Sequence, residues 1–248
     1  MRQLSEKKRE IVEPKVIFED TTLLVLDKPS GWVVNDADTT KHLKTIQNWL
    51  QEKYNYEIVK NRQLRSGIVH RLDKDTSGIL LVAKTESVFK KLQAQFKERV
   101  VQKTYVALAH GAIDPNIGEI TAPVGRLPWN KRKFGVIPGG REASTKYKVT
   151  KVFQKDGQYY SLLDLHLKTG RTHQIRVHLR HLGSPIVADK TYAGRKTWRH
   201  DIKWCPRIFL HASEISFIHP GTGKKVTLKA ETPEDLKNVI DSLESEVI

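Results

Sequence analysis

The 248-residue chain is 38% hydrophobic and 29% charged, the proportions of a folded protein, which excludes disorder throughout. Its 43 Lys and Arg exceed its 28 Asp and Glu by a formal +15, a field that attracts polyanions, nucleic acid first among them. No apolar run approaches the roughly eighteen residues of a membrane span. The charged start, Met1 to Glu10, has no apolar stretch behind it, and the single Cys205 excludes an intramolecular disulfide or a multi-cysteine zinc site, so the expected location is cytoplasmic.

In chain order, residues 1–12 alternate charges without an apolar stripe and are read as a flexible charged tail. Val16 to Phe18 and Leu23 to Leu26 are short apolar runs punctuated by Glu19-Asp20 and Lys28-Pro29-Ser30-Gly31, the pattern of a hairpin. Leu43, Ile46, Leu50 and Tyr54 recur at helical spacing and predict a helix from Lys41 to Tyr54. Ile68-Val69 leads into the polar run Asp73 to Gly78 and then Ile79 to Ala83, predicting a turn between two buried strands. Phe89, Leu92, Phe96 and Val100 mark a second helix. In the strand expected from Lys103 to Ala109, Thr104, Val106 and Leu108 share one face while Tyr105 faces the other way. Further strands are predicted at Ser144 to Phe153, Tyr159 to Lys168 and Ile208 to Ile218, with a helix from Thr172 to Leu182. Strands outnumber helices and arrive in uneven blocks, which favours an α+β domain over a regular βαβ repeat.

The densest polar constellation is His70-Arg71-Leu72-Asp73-Lys74-Asp75-Thr76-Ser77-Gly78. Its cations favour an ionised carboxylate, the form that attacks carbon, although a turn in which Asp73 or Asp75 caps backbone amides has the same composition. A second block, Thr169 to His178, gathers Arg171, His173 and Arg176; it is either a clamp for phosphate or carboxylate, or a solvated helix face. His173, His178 and His181 lack an acidic ligand nearby and the spacing of a zinc hydrolase, so no metal is expected. Two segments are read as basic, aromatic loops. One holds Arg126, Trp129, Lys131, Arg132 and Lys133, the other Arg195, Lys196, Trp198 and Arg199. Cations meet phosphates while aromatic rings stack on looped-out bases, although either Trp would equally serve to anchor its loop on the core. No phosphate-cradling glycine motif, dinucleotide fingerprint or serine elbow is present.

The run Gly67-Ile-Val-His-Arg-Leu-Asp-Lys-Asp-Thr-Ser-Gly-Ile-Leu-Leu-Val-Ala-Lys-Thr85 resembles the signature segment of RluA-type pseudouridine synthases. Leu24 to Gly31, Lys103 to Leu108 and Thr169 to Leu179 fall in the order that family shows, and Leu210-His-Ala212 and His219 to Thr222 match its closing pattern. The resemblance covers about Val16 to the C-terminus and implies a catalytic domain over residues 13–248. Its fold would be a mixed, largely antiparallel central sheet flanked by helices and loops, with a basic active-site cleft.

By the same resemblance Asp73 is the nucleophile, Tyr105 stacks on the target base and Arg176 pairs with Asp73. Arg71 helps occupy the space left by the flipped nucleotide, and Arg126, Trp129, Lys131, Arg132, Lys133, Arg171, His173, Arg195, Lys196 and Arg199 complete the expected RNA contacts. The implied activity is isomerisation of uridine in structured RNA, with large-subunit rRNA favoured over tRNA, by a monomer without a cofactor. Attack at C1′, addition to uracil C6 and base action at C2′ all remain open for Asp73. A catalytically idle RNA-binding or ribosome-assembly factor of the same fold is the rival. A glycosidase is disfavoured because Asp75, two residues from Asp73, is better placed as a turn stabiliser than as a second acid. Two positions depart from the family pattern: Asn35 stands where His is frequent and Ala188 where Gly is usual. The tail is also too short to hold the N-terminal S4-type module that many relatives carry.

Overall fold

A computed structural model describes residues 12–36 and 43–244. Residues 1–11 of the expected tail, and the expected helix start at Lys41, lie outside the described residues. A hairpin forms as predicted, β1 (Lys15–Glu19) antiparallel to β2 (Leu23–Lys28). Asp20 closes its turn by accepting from the Thr22 and Leu23 amides at 2.7 and 2.8 Å. Strand β3 (Ser77–Ala83) pairs antiparallel with β2 and parallel with β10 (Leu210–Ile218). Beyond β10 come β4 (Gln102–His110), β9 (Gln158–Leu167), β8 (Ser144–Lys155) and β5 (Ile117–Thr121), all antiparallel, while β11 (Lys225–Lys229) also pairs with β10. The nine-stranded sheet is thus mixed and largely antiparallel, with β3–β10 its parallel pair.

Alternation explains why β2 and β3 read as continuous apolar runs. Leu24, Leu26, Leu80 and Val82 enter the core on one face, and Leu23, Val25, Ile79, Leu81 and Ala83 the core on the other. A side chain such as Leu80, fully buried, contributes roughly 1.5–3 kcal/mol. Helix α2 (Glu86–Lys97) covers the second face with Val88, Phe89 and Leu92. Helix α1 (Ile46–Lys53) covers the first with Ile46, Trp49 and Leu50, as does α5 (Glu234–Glu244) with Leu236, Val239 and Leu243.

Several expected boundaries move, each for a local reason. Helix α1 begins five residues later than predicted because Thr45 caps it, its hydroxyl accepting from the Asn48 amide at 3.1 Å, and Leu43 is left exposed outside it. Val100 lies beyond α2, whose end is set by Arg99 in the left-handed region. Ile68-Val69 does not form a strand but makes one bridge at Ile68 back to Val82, so the Asp73 turn is flanked by a strand on its C-terminal side alone. The two basic segments are regular elements rather than loops: a hairpin, β6 (Val124–Leu127) with β7 (Asn130–Val136), and helix α4 (Arg195–Asp201). The helix expected from Thr172 is α3 (Gln174–His181), entered through His173 at φ 57. No helix among the described residues is long and apolar enough to cross a membrane.

Candidate active site

Asp73 sits where the chain turns into β3, the Thr76 amide donating to the Asp73 carbonyl at 3.2 Å. Two features fix that turn. Gly78, at φ +118, runs so close to β10 that an added Cβ would stand 2.2 Å from the Ala212 carbonyl oxygen. On the other side, the Lys28–Gly31 segment straps the turn down. Lys28, wholly buried, donates through Nζ to the Pro29, Trp32 and Lys74 carbonyls at 3.0, 3.0 and 3.1 Å. The Gly31 amide also reaches the Lys74 carbonyl at 2.8 Å, and the Ser30 hydroxyl reaches that of Asp75 at 2.8 Å. Burial lowers the Lys28 pKa to about 7 against the opposing pull of Asp75 and Asp73. Pro29 and Gly31 signal the turn in sequence, but nothing there says which distant segment it holds.

The Asp73 carboxylate lies 3.1 Å from Arg176 Nη1 on α3. Arg176 is itself aimed by Asp189, which has no solvent exposure and receives Nε at 2.7 Å and Nη2 at 2.8 Å, a two-pronged pair. Burial alone would loosen the Arg176 proton. The hydrogen bonds and charge of Asp189, then of Asp73, outweigh it and push the pKa up, so the guanidinium stays charged. Asp189 also accepts the Thr191 and Tyr192 amides at 2.8 and 3.1 Å, and the Tyr192 ring lies under the Arg176 guanidinium at 5.0 Å. Ala188 has φ 58, the left-handed conformation that explains a usual glycine here. Its amide is held by buried Asp201 at 2.8 Å.

His173 approaches Asp73 at 3.8 Å and pairs its Nδ1 with the Tyr192 hydroxyl at 2.8 Å. Burial lowers its pKa despite Asp73, which favours the neutral ring. Tyr105 projects from β4 to the same cleft and is 5% exposed; burial, then Asp73, push its hydroxyl pKa up, so the phenol stays protonated at neutral pH. His70 accepts the Leu81 amide at 3.1 Å and is held neutral by burial and by Lys103. His178, one of three histidines weighed for a metal, has both ring nitrogens engaged, by the Thr145 hydroxyl at 2.9 Å and the Ala122 carbonyl at 3.0 Å.

The cleft encloses about 990 Å³, and nine Lys or Arg line it against two carboxylates, Asp73 and Glu214. Of the expected RNA contacts, Arg71, Arg171 and His173 lie on its walls with the three catalytic candidates. Arg126, Trp129, Lys131, Arg132 and Lys133 sit on the β6–β7 hairpin, outside those walls. The hairpin leans on the active-site loop: Lys133 Nζ donates to the Thr191 carbonyl at 3.2 Å, the Phe134 amide donates to the Tyr192 hydroxyl at 3.2 Å, and Phe134 packs edge-on against His173 at 5.5 Å. Trp129 is 79% exposed at its tip, whereas Trp198 is half-buried with Lys190 Nζ over its ring at 5.2 Å. Arg195, Lys196 and Arg199 are exposed on α4, away from the cleft walls. Sequence reasoning missed Lys28, Asp189 and Tyr192, and the cleft cations Lys97, Arg99, Lys103, Arg141, Lys146 and Lys168. Only Lys103 carried a signal, since it shares the strand face of Tyr105 two residues away.

Comparison with known proteins points to one family. The profile of the RNA pseudouridylate synthase family matches residues 22–181. A Chloroflexus aurantiacus protein named as an uncharacterized RNA pseudouridine synthase is 41% identical over 218 residues, 88% of this chain and 66% of that protein. A ribosomal large subunit pseudouridine synthase D of Pseudomonas aeruginosa is 38% identical over 232 residues, 90% of this chain and 70% of that one. The chain therefore spans roughly two thirds of the length of such relatives. The solved structure of human RNA pseudouridylate synthase domain containing 1 superposes with a TM-score of 0.70 at 25% identity, covering 95% of this chain and 96% of that one.

Proposed function

The chain belongs to the RNA pseudouridylate synthase family, and we propose that it isomerises uridine to pseudouridine in structured RNA, with Asp73 as nucleophile. The carrying observation is the Asp73 carboxylate held at 3.1 Å by a largely buried, doubly anchored Arg176 within a strongly basic cleft. Large-subunit rRNA is the favoured target, supported by the name of the Pseudomonas relative, and tRNA is the second. The working form is a cytoplasmic monomer.

A uridine stacked in RNA hides its glycosidic bond, so the base must be extruded into the cleft at a cost of about a few kcal/mol in lost stacking. Cations on the cleft walls draw in the phosphates and offset part of that cost. Arg71 fills the space the nucleotide leaves, and Tyr105 lies under the extruded uracil. Arg176 holds the Asp73 carboxylate aimed at the nucleoside. The C1′–N1 bond then breaks, the retained uracil turns, C5 bonds to C1′ with release of any bond the Asp73 oxygen has made to the nucleoside, the C5 proton leaves to solvent and N1 takes up a proton.

The test uses RNA carrying tritium at uracil C5. Release to water by the wild type and none by Asp73→Ala, with RNA affinity unchanged, supports the reading. Tight binding to ribosomal and transfer RNA without release from either overturns it in favour of a non-catalytic RNA-binding factor.

A further inference from the structure

One wall of the cleft gathers cations that the chemistry at Asp73 does not use. Arg99 follows α2, Arg141 lies in the segment between β7 and β8, and Arg171 lies in the turn before α3, yet all three line the same cavity. Each backbone is pinned. Arg99 takes φ 61 at the helix end, and the next amide, of Val100, closes back on the Gln95 carbonyl at 2.9 Å. Arg141 exchanges both backbone hydrogen bonds with Val124 at 2.9 Å. The Arg171 amide donates to Gln174 Oε1 at 2.9 Å, and its Nε donates to the Glu142 carbonyl at 3.1 Å.

Among the described residues none of the three makes an ion pair. The carboxylates on the cleft walls are engaged elsewhere, Asp73 by Arg176 and Glu214 by Lys229 at 3.6 Å. The Arg171 pKa is lowered first by burial and then by Arg141 and Arg99, against a weaker pull from Glu142, so Arg171 lies within reach of the charge of both. A fourth cation stands behind them. Lys103 Nζ would lie 3.7 Å from a Cβ added at Gly170, the residue next to Arg171. Lys103 is half-buried but closely ringed by protein, which lowers its pKa to about 8. A helix C-terminus attracts a nearby cation and accounts for Arg99 singly. It does not account for three like charges converging from separate segments with no carboxylate paired to any of them among the described residues.

We infer that Arg99, Arg141 and Arg171, backed by Lys103, form a receiving site for a backbone phosphodiester of the RNA flanking the target uridine. Guanidinium forks match the two non-bridging oxygens of a phosphodiester, whose charge relieves the repulsion among the three. Such a contact fixes register without reading sequence. This inference rests on the RNA-modifying reading of the same cleft and adds the residues that set where the strand lies.

The experiment measures RNA affinity against salt, with steady-state kinetics, for Arg141→Ala, Arg171→Ala and the double variant. Lys225→Ala serves as a control for an exposed cation on β11, and thermal melts of each variant confirm folding. Each cleft substitution is expected to flatten the slope of log affinity against log salt by about one phosphate contact, uniformly across RNA sequences, and the double variant by about two. KM rises while kcat stays within about twofold, and Arg141→Lys restores most of the slope because it keeps the charge. An unchanged slope in folded cleft variants, or an equal flattening in Lys225→Ala, overturns the inference. If wild-type protein releases no tritium from any RNA while the slopes still fall as described, the phosphate site stands and the catalytic reading fails.

Discussion

Asp189 offers the sharpest test of how the active site is aimed, because Asp189→Asn keeps the shape and removes one charge. In the native arrangement Asp189 Oδ2 receives Arg176 Nε at 2.7 Å, and Oδ1 receives Arg176 Nη2 at 2.8 Å together with the Thr191 and Tyr192 amides at 2.8 and 3.1 Å. An asparagine oxygen at the Oδ1 position preserves the last three bonds, but its NH₂ then faces Nε, donor against donor. A charge-assisted hydrogen bond contributes about 1.5–3 kcal/mol, and breaking a buried ion pair by removing one partner costs about 3–5 kcal/mol. Arg176 keeps Asp73 as a second carboxylate, so a loss of about 3 kcal/mol is expected, which for a chain of this size lowers Tm by roughly 6–12 °C. Held by one prong instead of two, the guanidinium also no longer presents Nη1 to Asp73 in a fixed direction. A misplacement of about 1 Å at a reacting group costs on the order of a hundredfold in rate, so kcat should fall by about that factor while KM for RNA barely moves. Scanning calorimetry and tritium release under saturating RNA measure the two effects. A variant with wild-type kcat and a Tm within about 2 °C would refute the argument that Asp189 orients Arg176.

Other outcomes follow from the buried titratable groups. Lys28 has its folded-state pKa lowered to about 7, so the unfolded chain binds more protons than the folded one between that value and the ordinary lysine range; this group therefore makes stability rise as pH rises from about 7. In Lys28→Met that rise disappears from denaturation midpoints measured across the window, and the variant is destabilised at every pH because three carbonyls lose their donor. His211, with Ser77 Oγ at 2.9 Å and the Ala230 carbonyl at 3.3 Å, has its pKa lowered by burial to about 4. Stability from its neutral ring is present above the unfolded histidine range, near 6.5, and is lost as pH falls toward 4. The acid limb of a melting profile should accordingly be shallower in His211→Asn. Since burial and Asp73 raise the Tyr105 pKa, its ionisation should contribute no limb to the pH–rate profile below about pH 10, and Tyr105→Phe should show wild-type profile shape throughout that range.

Much of the local structure is legible in the chain because it depends on neighbours in sequence. Alternation placed Tyr105 opposite Thr104, Val106 and Leu108, apolar runs marked β2 and β3, and Pro29-Ser30-Gly31 marked a turn. Polar runs were less legible. The segments around Trp129 and Trp198 read as loops because their cations mask the pairing of β6 with β7, and because the seven-residue helix buries only Asp201 and so carries no apolar stripe. The helix at α1 was read too long, because periodicity continues through Leu43 while the cap at Thr45 ends it.

Asp73 and Arg176 stood out by sequence alone, since a carboxylate among cations and an Arg-rich block carry chemical meaning without coordinates. Their pairing at a separation of 103 positions was a matter of resemblance, and the 3.1 Å contact exists because the register sets the start of β3, through β10 and β4, level with the C-terminal half of β9, the strand that leads to α3. Tertiary structure alone decided the rest: the Lys28 strap over the Asp73 turn, the fork from Asp189 that aims Arg176, and the meeting of Arg99, Arg141 and Arg171. Side-chain identity and spacing report what a segment prefers locally. Which distant groups meet is set by sheet order and register, and those are fixed by burying two apolar faces over the whole chain at once.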